Sequence, residues 1–344
     1  MLSEDKIKQI REELDNCKNP LFFFHDDSDG LASFLLLYRY VREGHGIIVK
    51  SDPRVDEKFV RKVEEYKPDK IFVLDLAGLS QEFVDLVKTP IIWIDHHPGS
   101  EKINNVKQFN PRLDNEKDGS PVSAICYNVV KQDLWIAAAG IIGDWNLSKE
   151  TEEFSKKYPS LLPPTVKKPE KALFETKIGE LARIFNFILK GKTQDAMRSV
   201  KVMTRINGPE EILDQTTTQG SFIHKKYKKV YRKYQELLQE AEKKVTDDKV
   251  FVFPYEESRM SFSGELSNEF LYKYPDKIII IAREKEGEMK CSLRSGTVPI
   301  SGRLKNALVG IEGRGGGHEY ACGAVIKKRD FEQFINNLKR QLNI

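Results

Sequence analysis

Aspartate and histidine recur at the ends of short apolar runs early in the chain. His25, Asp27 and Asp29 fall in the segment HDDSDG, directly after LFFF. Asp75 closes the run KIFVLD, and Asp95, His96 and His97 close the run that continues as IDHHPG. Asp144 follows the apolar stretch that ends IIG. One acid after a strand commonly caps the next helix. Several strand ends delivering acids and imidazoles to one edge are a different matter, because ligands in open α/β sheets gather outside the carboxyl ends of the strands. Asp27, Asp29, Asp75, Asp95 and Asp144 repel one another at such an edge unless some carry protons or cations bind. Carboxylates with a few imidazoles and no clustered thiols suit Mn²⁺ or Mg²⁺ better than structural zinc. A pair of such ions is the standard clamp for hydrolysing a phosphate ester.

The surrounding pattern supplies the elements that must position these groups. Runs at 21–25, 46–50, 70–75 and 90–95 are short and apolar, as strands buried on both faces are. Helical spacing occupies about 30–43, 56–66 and 80–88, then 120–131 and 133–142. Pro68 and Pro90 stand just before strands, where a missing N–H costs least. Alternating strands and helices of this length predict a mostly parallel sheet over residues 1–145. Residues 146–247 change character: SLLPPTVKKPE reads as a hinge, and helical spacing follows it. Between 222 and 245 apolar residues recur every three or four positions in a Lys/Glu-rich background, an amphipathic helix. Residues 248–344 read as a smaller α/β unit, with strands at 250–255, 277–283, 289–294 and 323–328 and helices near 264–274, 301–308 and 330–341.

Composition bounds the function classes. The chain has 344 residues, two or three domains at roughly 150 residues each. With 40% hydrophobic and 31% charged residues it is neither a disordered chain nor a fibre. Lys plus Arg is 56 against 52 for Asp plus Glu, and the net +4 does not by itself demand a nucleic-acid partner. No stretch approaches 18 uncharged apolar residues, so no membrane span is expected. MLSEDKIKQIREELD has no signal-peptide core. Cys17, Cys126, Cys291 and Cys322 form no close pair, which argues against a zinc knuckle or a disulfide frame and predicts a reducing, cytoplasmic setting.

Taken in order, these motifs resemble the DHH phosphoesterase family, whose defining triplet corresponds to Asp95, His96 and His97. The family's first motif matches His25, Asp27 and Asp29, its second Asp75 and its fourth Asp144. Its smaller C-terminal domain, DHHA1, carries a glycine run ending in histidine, here Gly315, Gly316, Gly317 and His318, and a strand ending in SLRS with Arg294 and Ser295. The resemblance covers about 1–145 and 250–344. Arg314 stands where a fourth glycine is common, and the segment between the domains is longer than a minimal family member needs.

The resemblance implies a DHH catalytic domain over 1–145, a helical linker or insertion over 146–247, and a DHHA1-like substrate-binding domain over 248–344. It implies two divalent cations, Mn²⁺ or Mg²⁺. One is held by His25, Asp27 and Asp75, the other by Asp29, Asp75, His96 and Asp144, with Asp75 bridging. Asp95 and His97 orient His96 or touch the phosphate. In the second domain Arg294, a planar fork of donors, Ser295, the backbone of Gly315–Gly317 and His318 suit phosphate oxygens. Asp75, Asp95, His97, Arg294 and His318 are therefore the expected catalytic set. The expected activity is metal-dependent phosphodiester hydrolysis, most specifically a 3′-to-5′ exonuclease on single-stranded RNA or DNA that releases 5′-mononucleotides; the polarity comes from resemblance alone. The alternatives are a short-oligoribonucleotide (nanoRNA) or cyclic-dinucleotide phosphodiesterase and a non-catalytic nucleic-acid-binding protein. The helix at 222–245 packs on its own chain, joins a second copy in a homo-oligomer, or walls a nucleic-acid path.

Overall fold

A computed structural model of the protein describes residues 1–50, 53–99 and 102–342. It contains two compact units, Met1–Val230 and Tyr231–Ile344.

The first unit opens with α1 (Glu4–Asp15), β1 (Pro20–His25), α2 (Ser28–Val41) and β2 (His45–Val49). There follow β3 (Arg54–Val55), α3 (Val60–Tyr66), β4 (Lys70–Leu74), β5 (Gly78–Leu79), α4 (Gln81–Val87), β6 (Ile91–Ile94) and β7 (Val106–Phe109). Helices α5 (Val122–Val130) and α6 (Leu134–Gly143) complete the α/β domain. The helical region then runs through α7 (Lys149–Lys157), α8 (Pro169–Glu175), α9 (Lys177–Ile188), α10 (Thr193–Met203), α11 (Pro209–Leu213) and α12 (Thr218–Glu242).

Five strands form a parallel sheet in the order β2-β1-β4-β6-β7. The order reverses between β1 and β4, the switch point at which an open sheet leaves a crevice for ligands. Strand β1 is an interior strand, and its Leu21 to Phe24 are apolar on both faces and fully buried. Phe22 and Phe24 pack on Phe34 of α2, with ring centroids 5.7 and 4.6 Å away. Phe23 points to the other face, where it meets Phe59 and Phe83. Each such burial contributes roughly 1.5–3 kcal/mol. Strand β7 is an addition to the four strands read from the sequence: VKQF is short and half polar, and it sits at the sheet edge.

Two glycines let helices approach the strand ends. A Cβ at Gly30 would lie 2.5 Å from the His25 carbonyl oxygen, and one at Gly143 would lie 1.9 Å from Ser28 Oγ. The HDDSDG and IIGD segments thus need their glycines for the first turn of α2 to lie against β1 and for α6 to end against α2.

The second unit contains β8 (Val250–Tyr255), α13 (Ser263–Lys273), β9 (Ile278–Lys285), β10 (Glu288–Ser295), α14 (Ser301–Ala307), β11 (Gly313–His318), β12 (Ala321–Lys327) and α15 (Phe331–Gln341). Its sheet has the order β11-β12-β10-β9-β8, antiparallel except for the β8–β9 pair. One face packs on Ile300, Leu304, Phe334 and Leu338 from α14 and α15. On the other, Phe251 stacks on Phe270 of α13 at 4.7 Å. The glycine run, whose backbone the resemblance offers to phosphate oxygens, is an extended edge strand whose Gly315 and Gly316 pair with Ala324 and Gly323.

The amphipathic stripe of α12 is covered within the chain. In the first unit Ile223, Tyr227 and Val230 are buried, with Tyr227 stacked on Phe187 at 5.9 Å. In the second, Tyr234 packs on Phe262 at 5.4 Å and donates to Glu269 Oε2 at 2.6 Å. Intrachain packing therefore accounts for the periodicity that raised the expectation of a second copy. Among the described residues no helix is long and apolar enough to cross a membrane. All four cysteines are free.

Candidate metal centre

The acids and imidazoles of the first unit converge at the carboxyl ends of β1, β4 and β6. His25 ends β1, Asp27 is the N-cap of α2, and Asp29 lies in its first turn. Asp75 follows β4 in a left-handed conformation, φ 56°, a region that Asp tolerates better than most residues. Two bonds hold it there: its N–H donates to the Ile94 carbonyl at 3.0 Å, and Trp93 Nε1 donates to the Leu76 carbonyl at 2.9 Å. Asp95, His96 and His97 follow β6, and Asp144 is the C-cap of α6.

Three groups of these side chains could hold a metal ion: His25, Asp27 and Asp75; Asp29, His96 and Asp144; and Asp75, His96 and His97. Within each group the ligand atoms lie within 4.8 Å of one another. Asp75 joins the groups, with Oδ2 3.6 Å from His25 Nδ1 and Oδ1 3.3 Å from His96 Nε2. His25 Nδ1 is 2.8 Å from Asp27 Oδ2, and His96 Nδ1 is 3.7 Å from Asp144 Oδ2.

The electrostatics fit a cation. Burial raises the Asp29 carboxyl to about 7, with the Asp75 charge adding to it. Burial also pushes Asp144 well above the carboxylate range; His96 opposes this, and Asp29 and Asp75 reinforce it. Burial pulls His25 and His96 down, but the facing carboxylates, led by Asp27 for His25 and Asp144 for His96, outweigh it and hold both well above the usual imidazole value. Ionised carboxylates are therefore costly at this edge, and a cation would relieve that cost. His25 Nδ1, Asp75 Oδ2 and His96 Nδ1 are buried without a well-directed hydrogen bond, His25 Nδ1 having only the close carboxylate of Asp27 beside it. Buried polar atoms in proteins are nearly always satisfied, so three together suit divalent cations. The oxygen and imidazole donor set suits Mn²⁺ or Mg²⁺ without choosing between them.

Several supporting residues escaped the sequence reading. Asp29 accepts from the backbone N–H groups of Val122 (2.8 Å) and Ser123 (2.9 Å) and from the Ser123 hydroxyl, so the N-terminus of α5 fixes its carboxylate. His97 Nδ1 lies 2.7 Å from Asp95 Oδ1. Burial favours a protonated Asp95, but the hydrogen bond from His97 and its charge hold the carboxyl below the usual range. Asn110 Nδ2 donates to the His97 carbonyl at 2.9 Å, and Arg112 Nε donates to the His96 carbonyl at 2.7 Å. The available signal was Asn-Pro-Arg, a turn-forming triplet directly after β7.

In the second unit Arg294 and His318 lie in one cross-strand row, since both pair with Ala321. Arg294 Nε donates to Asn268 Oδ1 at 2.7 Å and Nη1 to the Leu293 carbonyl at 2.9 Å, which leaves Nη2 without a partner among the described residues. Ser295 is buried; its hydroxyl accepts from the Val298 N–H at 2.9 Å and shapes a turn. Gly315, Gly316 and Gly317 are exposed along β11. Tyr320 is exposed, and Trp145 packs edge-on against Phe174.

Residues 21–162 match the DHH family, N-terminal domain, and residues 247–343 match the DHHA1 domain. No curated protein matches the chain by sequence. Among solved structures, the chain is similar to RecJ from Thermus thermophilus in complex with Mn²⁺, with a TM-score of 0.72 and 17% identity over 98% of this chain and 54% of that one. It thus spans about half the length of that protein. It is also similar to an exonuclease RecJ bound to manganese, with a TM-score of 0.62 and 17% identity over 97% and 93% of the two chains. A DHH domain from a member of the S1p family of ribosomal proteins has a TM-score of 0.70 at 14% identity over 98% and 89%. At these identities the likeness establishes the fold.

Proposed function

From the premise that the chain belongs to the DHH/DHHA1 family, we infer that it is a two-metal-ion phosphodiesterase. Within that class it is a 3′-to-5′ exonuclease on single-stranded RNA or DNA that releases 5′-mononucleotides. The observation that carries the reading is Asp75, one carboxylate whose two oxygens face His25 on one side and His96 on the other.

Divalent cations bound at the two groups would acidify a water and neutralise charge on the phosphoryl oxygens. His25, Asp27 and Asp75 would hold one, and Asp29, Asp75, His96 and Asp144 the other. Asp95 fixes the orientation of the His97 ring through Nδ1. Arg294 offers Nη2 to a phosphate oxygen, and His318 stands in the same row. Hydrolysis breaks the bond from phosphorus to the 3′ oxygen of the preceding nucleotide. The shortened strand keeps its 3′-hydroxyl, and the released nucleotide keeps its 5′-phosphate. The likeness to an exonuclease RecJ bound to manganese agrees with the reading; the direction of digestion rests on family resemblance.

The test is digestion of matched RNA and DNA oligomers labelled at the 5′ end, under limiting enzyme and with each metal in turn. A descending ladder of labelled products is expected. Labelled mononucleotide as the first product reverses the polarity. Turnover confined to dinucleotides or a cyclic dinucleotide replaces the exonuclease reading with the short-substrate one.

A further inference from the structure

Helix α9 belongs to neither matched domain, yet it packs on α6, capped by Asp144, and on α2, capped by Asp27. Most of it is buried, including Ile178, Leu181, Ala182, Ile184, Phe185, Phe187 and Ile188. The half-buried polar groups Arg183, Asn186 and, just beyond the helix, Lys190 share one side with Ala182, within an arc of about 100° if helical spacing is continued. Ala182 marks one edge of that side, where a Cβ on Gly143, the residue before Asp144, would lie 3.8 Å from the Ala182 Cβ. Just past its far end, the chain meets the residue that follows β2. Lys50 follows β2, whose Val49 pairs with His25, and its Nζ donates to the carbonyls of Leu189 and Gly191 at 2.5 and 3.0 Å. The charges of Lys190 and Lys50 both act on Asp26, which lies between His25 and Asp27, and Lys226 of α12 acts on Lys50.

The side is cationic and incompletely satisfied. Arg183 Nε and Asn186 Oδ1 are buried without a hydrogen-bond partner, and Arg183 makes no ion pair among the described residues. Leaving such groups unpaired costs about 1–3 kcal/mol each. A ligand with anionic oxygens recovers that cost at Arg183 Nε, and a guanidinium is the group best shaped for it, whereas Asn186 Oδ1 is an acceptor and takes a donor instead.

We propose that the Arg183–Asn186–Lys190 side of α9, with Lys50 and Lys226, binds the phosphodiester backbone of a single-stranded oligonucleotide beyond the reacting phosphate. The proposal deepens the phosphodiesterase reading and rests on it. Contacts of this kind go to phosphates and carry no base preference. The added affinity belongs to substrates long enough to reach α9, so oligomers bind more tightly than dinucleotides, and the difference fades with salt.

The test is binding of a fluorescein-labelled deoxythymidine dodecamer to the full chain, with Ca²⁺ in place of Mn²⁺, across a salt series. Each phosphate contact contributes about 0.7 to the single-strand salt slope. The double variant Lys190→Gln/Lys226→Gln should therefore flatten the slope by about 1.4 and weaken the dodecamer more than a dithymidine. Lys228→Gln, the same charge removed from an exposed position of α12, should leave the dodecamer-to-dinucleotide ratio as in the wild type. Arg183→Lys keeps the charge and loses the fork, and should weaken the dodecamer while its thermal melt stays close to wild type. An unchanged slope in the double variant, or equal weakening of both ligands, overturns the inference. A parallel Mn²⁺ turnover assay on wild type separates the two readings. Hydrolysis with an unchanged slope removes only the α9 site; a flattened slope with no hydrolysis of any oligomer keeps the α9 site and removes the phosphodiesterase.

Discussion

His97 Nδ1 stands 2.7 Å from Asp95 Oδ1, and Asp95 is fully buried while the His97 ring is partly exposed. A buried acid that grips one nitrogen of an imidazole dictates what the other nitrogen can do. Asp95→Asn keeps the shape and removes the charge. Turnover in saturating Mn²⁺ should fall about 10–100-fold, as for other carboxylates that orient a site imidazole. Elemental analysis of the same sample should show metal retained. A variant that turns over normally removes Asp95 from the positioning role.

Asp75 can be tested without disturbing its backbone. Asn tolerates the left-handed conformation nearly as well as Asp, so Asp75→Asn should fold. Losing the shared carboxylate should reduce turnover by at least about 100-fold, more than the loss of a carboxylate that only orients a ligand. Activity within about tenfold of wild type, less than such an orienting group typically supplies, would sink the two-ion assignment.

Metal should also register as stability. Mn²⁺ at about 100 times its Kd adds about 2.7 kcal/mol, which raises Tm by roughly 5–10 °C for a unit of this size. The comparison is a thermal melt of chelator-treated protein with and without Mn²⁺, run beside Asp75→Asn. The variant should show a much smaller rise; an equal rise would place the stabilising ion elsewhere.

Gly143→Ala tests how packing sets the site. The new methyl would land on Ser28 Oγ and push the end of α6, with Asp144, away from α2. Overpacking of this kind costs typically 1–3 kcal/mol. Mn²⁺ affinity, read by calorimetry, should fall, and Gly143→Ala/Ser28→Gly should restore part of it. A single variant with wild-type stability and affinity would show that the helices yield without moving Asp144.

Far from the site, Lys107 and then Lys70 hold the Glu13 carboxyl below the usual glutamate range. A depressed folded-state value adds stability above the unfolded value, near 4.5, and that stability is lost as pH falls through the folded value. Glu13→Gln should therefore lower Tm at pH 7 and converge with wild type once pH has fallen through the folded-state value. A Tm difference that stays constant over that range would deny the ion pairs their part.

The sequence by itself located the acids and imidazoles of the candidate metal centre and most of the first sheet. His25, Asp75 and the Asp95–His97 triplet each end an apolar run, and local periodicity is enough to place them at strand ends. It also showed α12 as an amphipathic helix. What covers that helix, and what supports the site, came only with tertiary structure, because these depend on partners far away in the chain. Asp29 is gripped by Val122 and Ser123, more than ninety residues on, once α5 packs beside α2. Asn110 and Arg112 reach the His96–His97 backbone because β7 docks against β6 with Ile94 opposite Phe109. Strand β7 itself is short and half polar, and β11 is mostly glycine, so neither carries an intrinsic strand signal; each is extended because a neighbouring strand supplies its hydrogen bonds.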